Sequence, residues 1–226
     1  VKYDVVLLDA DGTLFDYDRA QAYALEKTYK HFRIPYNTAE LKRFRLINDR
    51  IWLDYEQGKI DSKSLRTVRF EQLFAGRNLQ VSSEDFSTVY LKHLGDAAFL
   101  IEGSEEACRY LSAKYRVAII TNGLTEVQLK RIGRSPLRDY IYEIVTSEEA
   151  GCSKPGAGIF DYAFRKIACS DKEKALIVGD SLSSDIQGGH NYGIDTCWYN
   201  PQGRVNGSGL KPRYEIRHLR ELQVIL

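Results

Sequence analysis

Val5-Val6-Leu7-Leu8-Asp9-Ala10-Asp11-Gly12-Thr13 joins four consecutive apolar residues to two acids and an Asp-Gly turn. A short aliphatic run closed by a turn signal predicts a strand buried in a sheet. Its two carboxylates, at i and i+2, leave the strand's carboxyl end and can both point at one spot beyond it. Like charges that close repel, so either a cation sits beside them or one carboxyl keeps its proton. An Asp oxygen can attack phosphorus and form an aspartyl-phosphate. The other Asp could then protonate the leaving oxygen and later deprotonate water. An ordinary Asp-Gly turn with an incidental second acid is the competing reading of the same residues.

With that first run bounded as Asp4–Asp9, strands are predicted there and at Val117–Thr121, Glu143–Thr146, Ala175–Gly179 and Asp195–Tyr199. Helix-length segments, Leu124–Arg134, Gly156–Ala168 and Leu182–Tyr192, lie between the later four. This alternation reads as βαβ units, hence an α/β fold with a Rossmann-like parallel sheet covered on both faces. Residues 16–96 break the rhythm. Their apolar residues recur at helical spacing, as in Leu41, Phe44, Ile47 and Ile51, and turn signals stand at Ile34-Pro35-Tyr36-Asn37, Gln57-Gly58-Lys59 and Ser82-Ser83. The expected organisation is a catalytic core of residues 1–15 and 97–226 and an inserted all-helical cap of residues 16–96. An insertion after the first strand belongs beside the carboxyl edge of the sheet, where open α/β folds place their ligands.

The 226 residues are 43% hydrophobic and 28% charged, which suits a folded chain and excludes a disordered one. Formal charge is +1, so no field of one sign exists to attract nucleic acid or an anionic membrane. No apolar run approaches the ~20 residues of a bilayer span, and the first residues lack a basic leader with an apolar core. Neither membrane insertion nor secretion is expected, and the expected location is cytoplasmic. Cys108, Cys152, Cys169 and Cys197 are too dispersed for structural zinc and predict reduced thiols. Oligomeric state has no signature in the sequence.

Three more strand ends carry candidate chemistry. Ile119-Ile120-Thr121-Asn122-Gly123 supplies a hydroxyl and the backbone N–H groups of a glycine turn, a small anion cradle before a helix. A helix cap is the commoner use of such residues. In Ser153-Lys154-Pro155-Gly156, Pro155 restricts Lys154 before a helix, so the ammonium could neutralise a phosphoryl oxygen. Standing alone, it would be a solvated loop lysine. Ile177-Val178-Gly179-Asp180-Ser181-Leu182-Ser183-Ser184-Asp185 brings two acids to the same edge, and carboxylates suit Mg²⁺, which takes hard oxygen ligands.

The four elements in this order resemble the haloacid dehalogenase superfamily of phosphotransferases over essentially the whole chain. The resemblance implies Asp9 as nucleophile, Asp11 as general acid/base, and Thr121, Asn122 and Lys154 as phosphate-binding residues. It implies Mg²⁺ held by Asp9, the Asp11 carbonyl and Asp180, with Asp185 orienting the site. Superfamily members that cleave carbon–halogen bonds lack an Asp at the position of Asp11, so the expected substrate is a phosphoester.

Asn48, Trp52, Tyr55 and Glu56 share one helical face, followed by Arg69-Phe70. Packing between cap helices is one reading; a platform that stacks a nucleobase, with Asn48 reading its edge, is the other. The string Asn48-x-x-x-Trp52-x-x-Tyr55-x-x-Gly58-x-Ile60 resembles the cap of the bacterial pyrimidine 5′-nucleotidase branch of the superfamily. So do Ser147-Glu148-Glu149-Ala150-Gly151, Ile159-Phe160-Asp161-Tyr162-Ala163 and Thr196-Cys197-Trp198-Tyr199-Asn200. The branch implies a nucleoside monophosphate substrate such as dUMP, UMP or dTMP. A phosphatase or mutase for a small sugar phosphate or phosphoglycolate, and a phosphate-binding regulatory protein without activity, are the alternatives.

Overall fold

Alternate residues of the first strand pack into two different cores. The computed structural model describes residues 2–226; Val1, the first residue of the expected core segment, lies outside them. In β1 (Val5–Leu8), Val6 and Leu8 join a cluster with Val117, Ile119, Leu176 and Val178, covered by Cys108 and Leu111. Val5 and Leu7 join another with Ala118, Ile120 and Ile177, covered by Ile159, Phe160 and Phe164. Burial on both faces is why the strand reads as an unbroken apolar run rather than an alternating one. Each such side chain contributes at most about 1.5–3 kcal/mol relative to exposure.

Five further strands complete one sheet: β2 (Arg116–Thr121), β3 (Glu143–Thr146), β4 (Ala175–Gly179), β5 (Asp195–Tyr199) and β6 (Tyr214–Ile216). Every neighbouring pair is parallel, in the order β3-β2-β1-β4-β5-β6. Helix Ser104–Ser112 contributes to the first cluster, and Ala157–Lys166 to the second. The sequence reading anticipated neither β6 nor helix Ser104–Ser112. Leu182–Tyr192 is also less regular than expected, with a π-helical turn at Leu182–Ile186 passing into an α-helix at Gln187–Tyr192.

Register is what concentrates the chemistry. Leu8 pairs with Ile119 on one side and Val178 on the other. Asp9, Thr121 and Asp180 therefore leave three adjacent strands at the same edge, and Asp9 N–H donates to Val178 O at 2.9 Å.

The chain divides into two compact units, one running to Tyr17 and resuming over Ala98–Leu226, the other being Asp18–Ala97. The second is helical, with segments at Tyr17–His31, Thr38–Glu56, Ser62–Phe74 and Ser83–Asp96. Asn37, Asp61 and Ser82 cap the last three, accepting from Ala39 N at 2.9 Å, Ser64 N at 2.7 Å and Asp85 N at 3.0 Å. Its core is aromatic: Phe44 stacks on Phe70 at 5.4 Å, and Tyr90 meets both rings edge-on. Among the described residues no helix is long and apolar enough to cross a membrane. The four cysteines are free thiols, and burial pushes Cys108 up to about 12.

Candidate active site

Lys154 lies in the loop between β3 and helix Ala157–Lys166, where the sequence alone would leave it in water. It is 1% exposed, and its ammonium donates to Asp9 Oδ1 at 2.6 Å, Asp185 Oδ1 at 2.7 Å and Ile120 O at 2.7 Å. Those three acceptors match the three N–H donors of an ammonium. The loop itself is held by Asn122, whose Nδ2 donates to Lys154 O at 2.9 Å and whose Oδ1 accepts from Lys154 N at 2.8 Å. The Asn122 side chain thus braces Lys154.

Asp9, Asp180 and Asp185 each place a carboxylate oxygen within 4.8 Å of the others. Asp185 also accepts from Ser181 N at 3.0 Å, and Thr13 Oγ1 donates to Asp180 Oδ1 at 3.4 Å. Trp198 Nε1 and Arg204 Nη2 donate to the Asp180 carbonyl at 3.0 and 2.8 Å, fixing that stretch from outside. Two glycines make the approach possible. Gly12 has φ +85°, and a Cβ there would meet Asp180 Oδ1 at 2.7 Å. A Cβ on Gly179 would lie 2.2 Å from Asp185 Oδ2.

Burial drives the Asp9 carboxyl well above the usual carboxylate range; Lys154 opposes this, and Asp185 and Asp180 add to it. Burial, then Asp185, pushes Asp180 up to about 7. Burial disfavours the charged form of Lys154, but Asp185 and Asp9 outweigh it and hold the ammonium above its ordinary value. Three clustered carboxyls face one ammonium, so their full ionisation calls for further positive charge. Hard oxygen donors clustered in this way fit a divalent cation such as Mg²⁺.

Thr121 is buried, and its Oγ1 accepts from Gly123 N at 3.0 Å. Asp11 stands apart from the carboxylate cluster. Its Oδ2 accepts from Gln128 Nε2 at 2.6 Å, and its Oδ1 is ion-paired to Arg131. Sequence reading passed over both partners. The available signal was two polar residues on the buried face of helix Thr125–Gly133, beside Val127 and Ile132.

In the helical unit, Trp52 and Tyr55 are half-buried and meet edge-on, with ring centroids 5.7 Å apart. Asn48 has no exposed surface, and its Oδ1 accepts from Arg69 Nη1 at 3.0 Å. Asn48 is thus tied to Arg69 of the same helical unit.

Residues 6–199 match the haloacid dehalogenase-like hydrolase family. The chain is 33% identical to the HAD-hydrolase YfnB of Bacillus subtilis over 225 residues, covering 100% of this chain and 96% of that one. A crystal structure of YfnB bound to magnesium superposes with a TM-score of 0.92 and covers 100% and 99% of the two chains. Pyrimidine 5′-nucleotidase YjjG of Escherichia coli is 31% identical, with 100% and 99% covered. Pyrimidine 5′-nucleotidase PynA of Streptococcus pneumoniae is 33% identical, with 97% and 93% covered. The parallel sheet, the carboxylates and lysine gathered at its edge, and these whole-length likenesses place the chain in the haloacid dehalogenase-like hydrolase family.

Proposed function

We propose that this hydrolase removes phosphate from nucleoside 5′-monophosphates, pyrimidine nucleotides being preferred, through an aspartyl-phosphate on Asp9. The observation that carries the chemistry is the Lys154-paired Asp9 at the strand end, with a second acid, Asp11, two residues on. The whole-length likeness to two pyrimidine 5′-nucleotidases supports the substrate class.

In this reading an Asp9 oxygen attacks phosphorus, the bond from phosphorus to the ester oxygen breaks, and Asp11 gives that oxygen its proton. Water then attacks the phosphoryl group and loses a proton to Asp11; the Asp9–phosphorus bond breaks, freeing phosphate and restoring both carboxyls. Lys154 and the Thr121 turn stabilise the phosphoryl oxygens. Asp9, the Asp11 carbonyl and Asp180 would hold Mg²⁺, with Asp185 orienting them. Bound there, the ion neutralises charge that develops on the transferring group. Selectivity for the base is assigned to the helical unit, through Trp52 and Tyr55.

A phosphate-release panel tests this. UMP, dUMP and dTMP should exceed glyceraldehyde 3-phosphate and phosphoglycolate in kcat/KM by at least about tenfold, the scale of one well-made specificity contact. EDTA should abolish release and Mg²⁺ restore it. A preference for sugar phosphates would discard the nucleotide reading, and full activity in EDTA would discard the metal.

Gly179→Ala gives a separate check on the metal ligands. The new methyl must displace the Asp185 carboxylate, so Mg²⁺ affinity should fall by about 10–100-fold. The activity titrated against Mg²⁺ reads this, and an unshifted curve would remove Asp185 from the site.

A further inference from the structure

Arg131 is a costly residue to place where it stands. It has no exposed surface, on a helix face otherwise occupied by Val127 and Ile132. Nη1 is paired with Asp11, but buried Nε and Nη2 have no hydrogen-bond partner among the described residues. The guanidinium lies over the Phe15 ring, 4.6 Å from its centroid. Phe15 in turn closes the Asp11 turn, its carbonyl accepting from Gly12 N at 2.9 Å and its N–H donating to Ala10 O at 2.8 Å. An apolar residue of similar volume would suit this face better, since buried charge and unmet donors cost stability.

Gln128, 1% exposed and three residues earlier on the same face, breaks the apolar pattern in the same way. Its Nε2 reaches Asp11 Oδ2 at 2.6 Å and Thr121 Oγ1 at 3.4 Å, while buried Oε1 has no partner among the described residues. The space it occupies exists because residue 123 is glycine: a Cβ there would lie 2.0 Å from Gln128 Nε2. Asp11 is thus gripped at both oxygens by one helix. Violations of local stability rules that converge on one group mark a functional site.

Resting on the reading of Asp11 as proton donor and acceptor, we infer that Gln128 and Arg131 are positioning residues. They fix the Asp11 carboxyl in the attitude required to protonate the leaving oxygen and to take the proton from water. Neither touches the reacting atoms. Their effect must therefore follow the leaving group's need for a proton, whereas a purely structural pair would affect all substrates alike.

The test compares UMP, or the alkyl phosphomonoester the panel shows to be preferred, with p-nitrophenyl phosphate, whose phenolate leaves without a proton. Arg131→Lys keeps the charge and loses the two-pronged geometry. Gln128→Leu removes the other contact without adding charge. Each variant should lower kcat on the alkyl ester by about tenfold to a hundredfold, with KM moved by less than about threefold. Single-turnover release of p-nitrophenolate should fall by less than about threefold. Equal losses on both esters, or no loss on either, in variants melting near the wild-type temperature overturn the inference.

Asp11→Asn separates the two levels of the argument. If it shows the leaving-group-dependent loss and the Gln128 and Arg131 variants do not, the positioning roles fail and Asp11 keeps its own. If Asp11→Asn shows no such selectivity, the parent reading fails and takes the positioning roles with it. Should Arg131→Lys not fold, Gln128→Leu carries the test, because it removes no charge from the interior.

Discussion

Asp9→Asn should abolish turnover while leaving the fold intact: on the proposed role of Asp9, kcat is expected to fall by at least about 10⁴-fold, as for loss of a covalent nucleophile. The amide is nearly isosteric with the carboxylate, but its oxygen is too weak a nucleophile to take phosphorus from an ester. Lys154 keeps Asp185 Oδ1 and Ile120 O as acceptors, and the amide oxygen at position 9 can accept in place of Asp9 Oδ1. One of three mutually repelling carboxylates disappears, so without Mg²⁺ the variant should melt at or above the wild-type temperature. Phosphate release at saturating Mg²⁺ and an acid-trapped phosphoprotein assay measure the chemistry. Near-native release, or a phosphoprotein still formed by the variant, would remove Asp9 from the role of nucleophile.

The second large effect is on stability. Lys154→Met leaves Asp9 and Asp185 without their buried counter-charge, and Asp180 remains beside them. Breaking one side of a buried ion pair costs about 3–5 kcal/mol, because the stranded charge cannot return to water. For a chain of this size that lowers the melting temperature by roughly 6–20 °C. The excess negative charge left behind should make Mg²⁺ recover a larger share of stability in the variant than in wild type. Thermal melts with and without Mg²⁺ decide it. A melting temperature within a degree or two of wild type would mean that the ammonium does not hold these carboxylates together.

Local pattern carried the core strand and its chemistry a long way. Val5–Leu8 is unbroken aliphatic because both faces of a parallel sheet are covered, and that leaves a direct trace in the sequence. The acids that follow apolar runs at Asp9, Asp11 and Asp180 are legible for the same reason. A strand ends where polarity returns. β6 left no such trace, being three residues long with Glu215 facing outward, and its place is fixed by partners such as Asn200 N donating to Ile216 O at 2.7 Å.

By itself, the sequence determined the α/β class, the helical character of the insertion and the candidate acids at the strand ends. These depend on periodicity and on residue type at a boundary, both of which are local. Only the tertiary structure decided what each polar side chain faces. Lys154 is not a solvated loop residue because Asp9, 145 positions away, and Asp185 converge on it. Asn122 braces that lysine, Asn48 accepts from Arg69, and Gln128 and Arg131 close on Asp11 from 117 and 120 positions away. Such pairings are set by strand register and helix packing across the whole sheet, and no window of neighbouring residues encodes them.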